Sequence, residues 1–253
     1  FGGDISTPLL LVIMAVVSLL AGAAWGMVPA TFKAVWNTNE TLFTLMMNYI
    51  IIGVVRWLQG GPWEAPPSGS QMIAQFAGNA KLPSVLGVHC GWIIVLVLTV
   101  LMFIYMRYTK HGYEIAVVGD SAGTAHYAGM KVNAIVLRTV FLSACLIGLA
   151  AAFKVGTVGI LSTSFTDDVG WTGVIVAWLA QLNPFAMVGI SALLAVLQKG
   201  ADTLNTQMGI PASLSDVITG VLLFFMLGCE FFINYKLVFR GAEERHKRKE
   251  AAK

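Results

Sequence analysis

The chain has 253 residues, 57% of them apolar, and its 16 Lys+Arg and 13 Asp+Glu leave only 11% charged, against roughly one-quarter in ordinary soluble domains. Mean hydropathy is +0.76. These values exclude a disordered chain, a secreted disulfide scaffold and a typical soluble enzyme, and leave an all-α polytopic membrane protein built from spans of about 20 apolar residues. The chain begins at Phe1 rather than Met, which predicts that an N-terminal part is missing.

Pro8 to Val28 carries no charge and is long enough to cross a bilayer. Leu42 to Leu58 is the second predicted span, charged only at Arg56, and Val88 to Met106 is the third, closed by Arg107 and Lys110. Ala134 to Phe153 is the fourth, with Arg138 near its start and Lys154 just beyond its end, where long basic side chains can snorkel. Val217 to Asn234 is the fifth, with Glu230 near one end.

Between the last two lies an uncharged stretch from Val169 to Gln198 with Asn183-Pro184 at its centre. As one straight helix it would run about 45 Å, against a hydrocarbon core of about 30 Å. The proline removes a backbone donor there. A kinked single crossing is one reading. The other is an interrupted pair of arms, each too short for a comfortable crossing, folded into a hairpin.

Charge favours the hairpin. It would put Lys33, Arg107, Lys110, Lys131, Arg138 and the seven basic residues from Lys236 onward on one face, leaving Arg56, Lys81, Lys154 and Lys199 on the other. By the positive-inside rule the first face, with the C-terminus, is cytoplasmic. Residues 1–240 are then a transmembrane domain and 241–253 a basic cytoplasmic tail, while the Gly-, Pro- and Ser-rich loop Gln59–Cys90 faces outside.

No phosphate-binding loop, nucleophile elbow or zinc-binding His pair is present, so the chain brings no energy source of its own. Cys90, Cys145 and Cys229 are far apart, and the four histidines, His89, His111, His126 and His246, are widely separated. No metal site or cofactor is expected.

The most informative segment runs from Thr109 to Val132. Asp120 can cap a short helix from Ser121 to Ala128, with Gly129 ending it in a left-handed conformation. A helix of about eight residues is too short to stand alone in water. It either lies on its own membrane domain or is presented to a cytoplasmic partner's groove, with small residues such as Ala125 allowing close approach and Tyr127 as an anchor.

This segment resembles the cytoplasmic loop of ATP-binding-cassette (ABC) transporter permeases of the branched-chain amino acid/ribose type, and most of all those for nucleosides and simple sugars. The resemblance rests on Gly112, Ala116-Val117-Val118-Gly119-Asp120 and Thr124-Ala125-His126-Tyr127-Ala128-Gly129-Met130-Lys131-Val132. It extends to Gly26-Met27-Val28-Pro29-Ala30, Lys33, Asn39-Glu40 and Leu45-Met46-Met47-Asn48-Tyr49, and onward through Leu142-Ser143-Ala144, Gly148-Leu149-Ala150 and Gly209-Ile210-Pro211. It covers nearly the whole chain. Two departures stand out. Ile115 replaces an arginine of the family's loop, and Trp178, Ala180 and Ala186 alter the motif that begins at Gly170-Trp171.

The resemblance implies a permease subunit in the cell membrane with two or three further N-terminal spans. It would pair with a second permease copy or relative, a cytoplasmic ATPase and an external solute-binding protein. The coupling loop would comprise Asp120, Ser121, Ala125, His126, Tyr127 and Gly129, and candidates for the solute path are Asn48, Trp171 and Asn183. Asn48 could equally bond another helix, and Asn183 could simply cap the second arm. Ala144, Gly148, Ala152 and Gly156, spaced every four residues, and Gly22-x-x-x-Gly26 form small-residue ridges, read as packing within one subunit in preference to a dimer contact. The rival in another class is an ion-gradient-driven carrier, which would need Glu230, the lone acid inside a predicted span. A membrane-embedded enzyme is a distant third.

Overall fold

A computed structural model describes residues 6–64, 73, 76, 78–81, 83–85, 88–161, 166 and 169–209, with separate positions between 217 and 232. Glu230 and the tail 241–253 lie outside the described residues, as do positions 219, 222, 223, 226, 227, 233 and 234 of the predicted fifth span. The fold is all-α and polytopic. Its elements are α1 Thr7–Trp36, α2 Glu40–Gln59, α3 Gly91–Tyr108, α4 Lys110–Asp120, α5 Ala122–Tyr127, α6 Val132–Val158, α7 Val169–Leu179 and α8 Pro184–Met208, with a two-residue-per-strand hairpin pairing Ser84–Val85 with Val88–His89. Among the described residues, five helices, α1, α2, α3, α6 and α8, are long and apolar enough to cross a membrane. The chain divides into a unit of Phe1–Asp167 and a unit of Asp168–Lys253.

In the first unit, α1 and α6 form the tightest seam. A methyl group added at Gly22 would lie 2.7 Å from the Ala144 carbonyl oxygen and 2.9 Å from the Gly148 Cα. One added at Gly148 would strike the Ser18 carbonyl, and one at Gly26 would strike Ala144 Cβ. The small-residue ridges therefore serve contact within one chain, where the missing Cβ atoms let two backbones approach. Ala144, Cys145, Gly148, Ala152 and Gly156 are all buried on α6.

Hydrogen bonds fix the sense of the helices. Asn133 Nδ2 at the start of α6 donates to the Ala34 carbonyl near the end of α1, at 3.1 Å. At the opposite end, Gln59 Nε2 in the last turn of α2 donates to the Leu161 carbonyl just past α6, and Phe76 N–H donates to the Gly159 carbonyl. The end of α1, the start of α2, the end of α3 and the start of α6 thus share one end of this unit. Asn39 caps α2, its Oδ1 accepting from Thr41 and Leu42 N–H.

In the second unit the break falls at Asn183-Pro184 as the sequence predicts, and Val176 of α7 packs with Ile190 and Leu194 of α8, so the arms fold back on each other. Their lengths differ from expectation. The first arm has 11 residues, but α8 has 25 and continues past Lys199 and Asp202 to a left-handed cap at Gly209. Charges flanking an apolar run do not stop a helix, and at about 1.5 Å per residue α8 is long enough to span the hydrocarbon unaided. The turn between the arms places Gln181 (φ 49°) and Leu182 (φ 58°) in the left-handed region, which costs non-glycine residues about 1–2 kcal/mol each.

Candidate functional site: the α4–α5 corner

Helix α3 ends at Tyr108 and the chain turns sharply at Thr109, which is extended (φ −104°, ψ 153°). The Thr109 hydroxyl donates to the Tyr105 carbonyl at 2.6 Å and accepts from Gly112 N–H at 3.2 Å, closing the end of one helix and opening the next. Gly112 is required here, because a Cβ would run into the Met106 backbone. Residues 110–120, for which the sequence predicts no element, form a helix of their own, α4.

This displaces the expected cap. Asp120 is the last residue of α4, and Ser121, extended at φ −160° and ψ 111°, separates the two helices. Ser121 Oγ accepts from Thr124 N–H at 3.2 Å, so serine rather than aspartate caps α5. Backbone geometry explains the shift: the break residue must leave the helical region, and Asp120 is still within it. The helix is correspondingly shorter than expected, six residues from Ala122 to Tyr127.

Its end matches the sequence expectation. Gly129 adopts φ 76°, and Gly129 N–H donates to the His126 carbonyl while Met130 N–H donates to the Ala125 carbonyl, both at 3.0 Å. These two bonds form a Schellman cap. Ala125 is 0% exposed, Tyr127 is 94% exposed and His126 is exposed. One small residue seats the helix and the aromatic ring faces outward. Beside it, His126, Gly129, Met130, Lys131, Val132 and Asn133 line an open cleft of about 450 Å³.

A charged cluster anchors this corner. Glu114 of α4 accepts a 2.7 Å hydrogen bond from the Arg138 guanidinium of α6, with His111 Nδ1 at 3.5 Å and Lys110 Nζ at 3.9 Å. The Glu114 side chain is 16% exposed and that of Arg138 is 35% exposed. The Arg138 hydrogen bond, opposed by burial and reinforced by His111 and by the charges of Arg138 and Lys110, holds the Glu114 carboxyl below its ordinary pKa. Where the sequence suggests a snorkelling Arg138, the structure has an inter-helix partner. Opposite charges on either side of a short loop are the available signal, hidden because nothing in spacing shows that α4 folds against α6.

The solute-path candidates are divided between the units. Asn48 is exposed on α2 of the first unit. Trp171, exposed, opens α7 of the second, and Asn183 follows the other end of that helix. Asn183 Oδ1 accepts from Phe185 N–H at 3.1 Å, capping α8, which is the simpler of its two expected roles. Ile115 lies half-buried on α4 where the resembled loop carries arginine.

Residues 5–227 match the family described as branched-chain amino acid transport system / permease component. The chain is 25% identical over 242 residues to the glucose ABC transporter permease protein of Haloferax volcanii, covering 90% of this chain and 64% of that protein. It is 27% identical over 238 residues to the guanosine ABC transporter permease protein of Bacillus subtilis, covering 88% and 66%, and 26% identical over 247 residues to the nucleoside ABC transporter permease protein of Lactococcus lactis, covering 92% and 67%. The chain thus spans about two-thirds of the length of these relatives. No solved structure matches it.

Proposed function

The chain belongs to the permease-component family of branched-chain amino acid transport systems, and on that premise we propose that it is the membrane-spanning subunit of an ABC importer for a nucleoside or simple-sugar-like solute. A second permease, identical or related, completes the pathway. An external binding protein delivers the solute, and ATP is hydrolysed on a separate cytoplasmic ATPase rather than on this chain. The glucose, guanosine and nucleoside permeases among its relatives support the solute class.

One observation carries the coupling role. Helix α5 is rooted through buried Ala125 yet presents Tyr127 almost fully, as a helix that docks into a partner's groove requires. Asp120, Ser121, Ala125, His126, Tyr127 and Gly129 form this knuckle, with Asp120 contributing from the end of α4. Asn48, Trp171 and Asn183 remain the proposed solute-path residues, with Asn183 also shaping the helix break. The end of the first unit that carries α5 holds Lys33, Arg107, Lys110, Lys131 and Arg138, against Arg56, Lys81 and Lys154 toward the other end. This distribution supports a cytoplasmic position for α5 in the plasma membrane, and the seven basic residues from Lys236 support a cytoplasmic C-terminus. The domain reading of 1–240 as membrane permease and 241–253 as basic tail rests on the same asymmetry.

The test is co-purification and coupled hydrolysis. The complete chain is expected to purify with an ATPase whose hydrolysis is stimulated during uptake of guanosine or glucose. Deleting 120–129 abolishes that stimulation while membrane insertion is kept. Stimulation that survives the deletion refutes the coupling role, and uptake by the chain alone under an imposed ion gradient refutes the importer reading.

A further inference from the structure

Helix α5 is joined to α6 by a short link. Its end at Gly129 sits in the left-handed region that glycine adopts freely, and only Met130 and Lys131 separate Gly129 from Val132, the first residue of α6. A single short link fixes α5 to α6 at one point only. A push on α5 would then swing α4 and α5 about residues 129–131 without moving α6.

The structure supplies a second attachment. Glu114, about 9 Å along α4 from Asp120 at 1.5 Å per residue, grips Arg138, about 9 Å into α6 from Val132. Two separated attachments, one from α5 and one from α4, tie the corner to α6 and turn a hinge into a lever. On α6, Ala144 and Gly148 lie about 240° and 280° around the helix from Arg138 at 100° per residue, and there they meet Gly22 of α1 backbone to backbone. Force entering at Arg138 therefore reaches α1 and α6 as one body.

We propose that the Glu114–Arg138 ion pair is the strut that transmits displacement of the α4–α5 corner to the α1–α6 pair, with both residues acting as positioning residues for coupling. This rests on the importer reading above and adds to it the route by which motion leaves the knuckle. The pair differs from the α5 contact residues in that it faces α6 and not a partner. Its loss should therefore spare ATPase binding and uncouple ATP hydrolysis from movement of the helices.

The experiment uses the whole importer complex in lipid nanodiscs, with Cys90, Cys145 and Cys229 replaced by serine and a reporter Val158→Cys at the far end of α6, about 30 Å from Arg138. Val158 is exposed, and maleimide labelling there is timed without nucleotide and after trapping with ATP and vanadate. In the otherwise native pair the rate should change about threefold or more, whereas in Glu114→Gln the change should vanish with ATP hydrolysis kept within about twofold. The charge-swapped chain, Glu114→Arg with Arg138→Glu, should restore the response, which a merely structural role for either residue would not predict. Equal responses in the native pair and Glu114→Gln overturn the strut alone, as does a native complex that hydrolyses ATP with no change at position 158. If no ATPase joins the native chain, the importer reading itself fails. Should Glu114→Gln not assemble, the charge swap decides: a native response upholds the strut, and an assembled but silent complex, or failure of both variants to assemble, overturns it.

Discussion

Helix α6 meets α1 through glycine and alanine, and it meets α4 through a glutamate and an arginine. Along the first seam Gly22, Gly26 and Gly148 bring two backbones into contact, so there is no side chain whose rotation could let the helices slide. At the second, a carboxylate and a guanidinium reach across partly solvated space to hold helices that touch little otherwise. Close van der Waals packing has one deep minimum. A charged pair on flexible side chains keeps its attraction over a range of positions. Under the proposed coupling role, the first seam is the part that stays together and the second the part that is moved.

The largest effect should come from breaking the seam. Gly148→Leu places a branched side chain where even a Cβ strikes the Ser18 backbone, and overpacking of this kind costs about 3 kcal/mol or more. Thermal unfolding in detergent should show a drop in midpoint of many degrees or complete loss of monodisperse protein. An unchanged midpoint would show that α1 and α6 do not meet as described.

Acid should weaken the other contact selectively. Arg138, Lys110 and His111 face Glu114, and its pKa in the folded chain is lowered. The tie is therefore fully present above the ordinary carboxylate pKa of about 4.3 and is lost as pH falls through the lower folded value. Hydrogen exchange in α4 should stay slow on acidification to the ordinary carboxylate range and quicken only below it, while the α1–α6 seam stays protected throughout.

Smaller effects sharpen the local picture. Ser121→Ala removes the cap of α5 and should cost about 1 kcal/mol, read as faster exchange across 122–127, whereas Asp120→Ala should change it by less than about 0.5 kcal/mol. The reverse order would restore the aspartate cap. Leu182→Gly relieves a left-handed leucine and should stabilise the second unit by about 0.5–1 kcal/mol, seen as a small rise in its unfolding midpoint.

Much of this fold is legible in the sequence because lipid imposes simple rules. Long apolar runs read as helices. The predicted spans lie inside α1, α2 and α6, although α1 runs eight residues past Val28. The third predicted span begins three residues early, where Val88–His89 form a strand before α3. Gly129 and Asn183-Pro184 announce a helix end and a helix break, since glycine and proline act on the backbone locally. Features that depend on tertiary contact are hidden. The α4 helix has only a threonine cap to mark it, and the choice between Asp120 and Ser121 turns on which residue leaves the helical region. The pairing of Glu114 with Arg138 spans 24 positions that no periodicity connects. The length of α8 exceeds its uncharged run because Lys199 and Asp202 look like a boundary, although a helix carries such charges readily at its end.

The central claim is that this bundle is driven from the cytosol through α5. Tyr127→Cys, placed in a chain with Cys90, Cys145 and Cys229 replaced by serine, reports its side directly, because the native side chain is almost fully exposed. A membrane-impermeant maleimide should leave intact cells unlabelled at position 127 and label it in inside-out vesicles washed free of the ATPase. Labelling from outside intact cells would contradict the account.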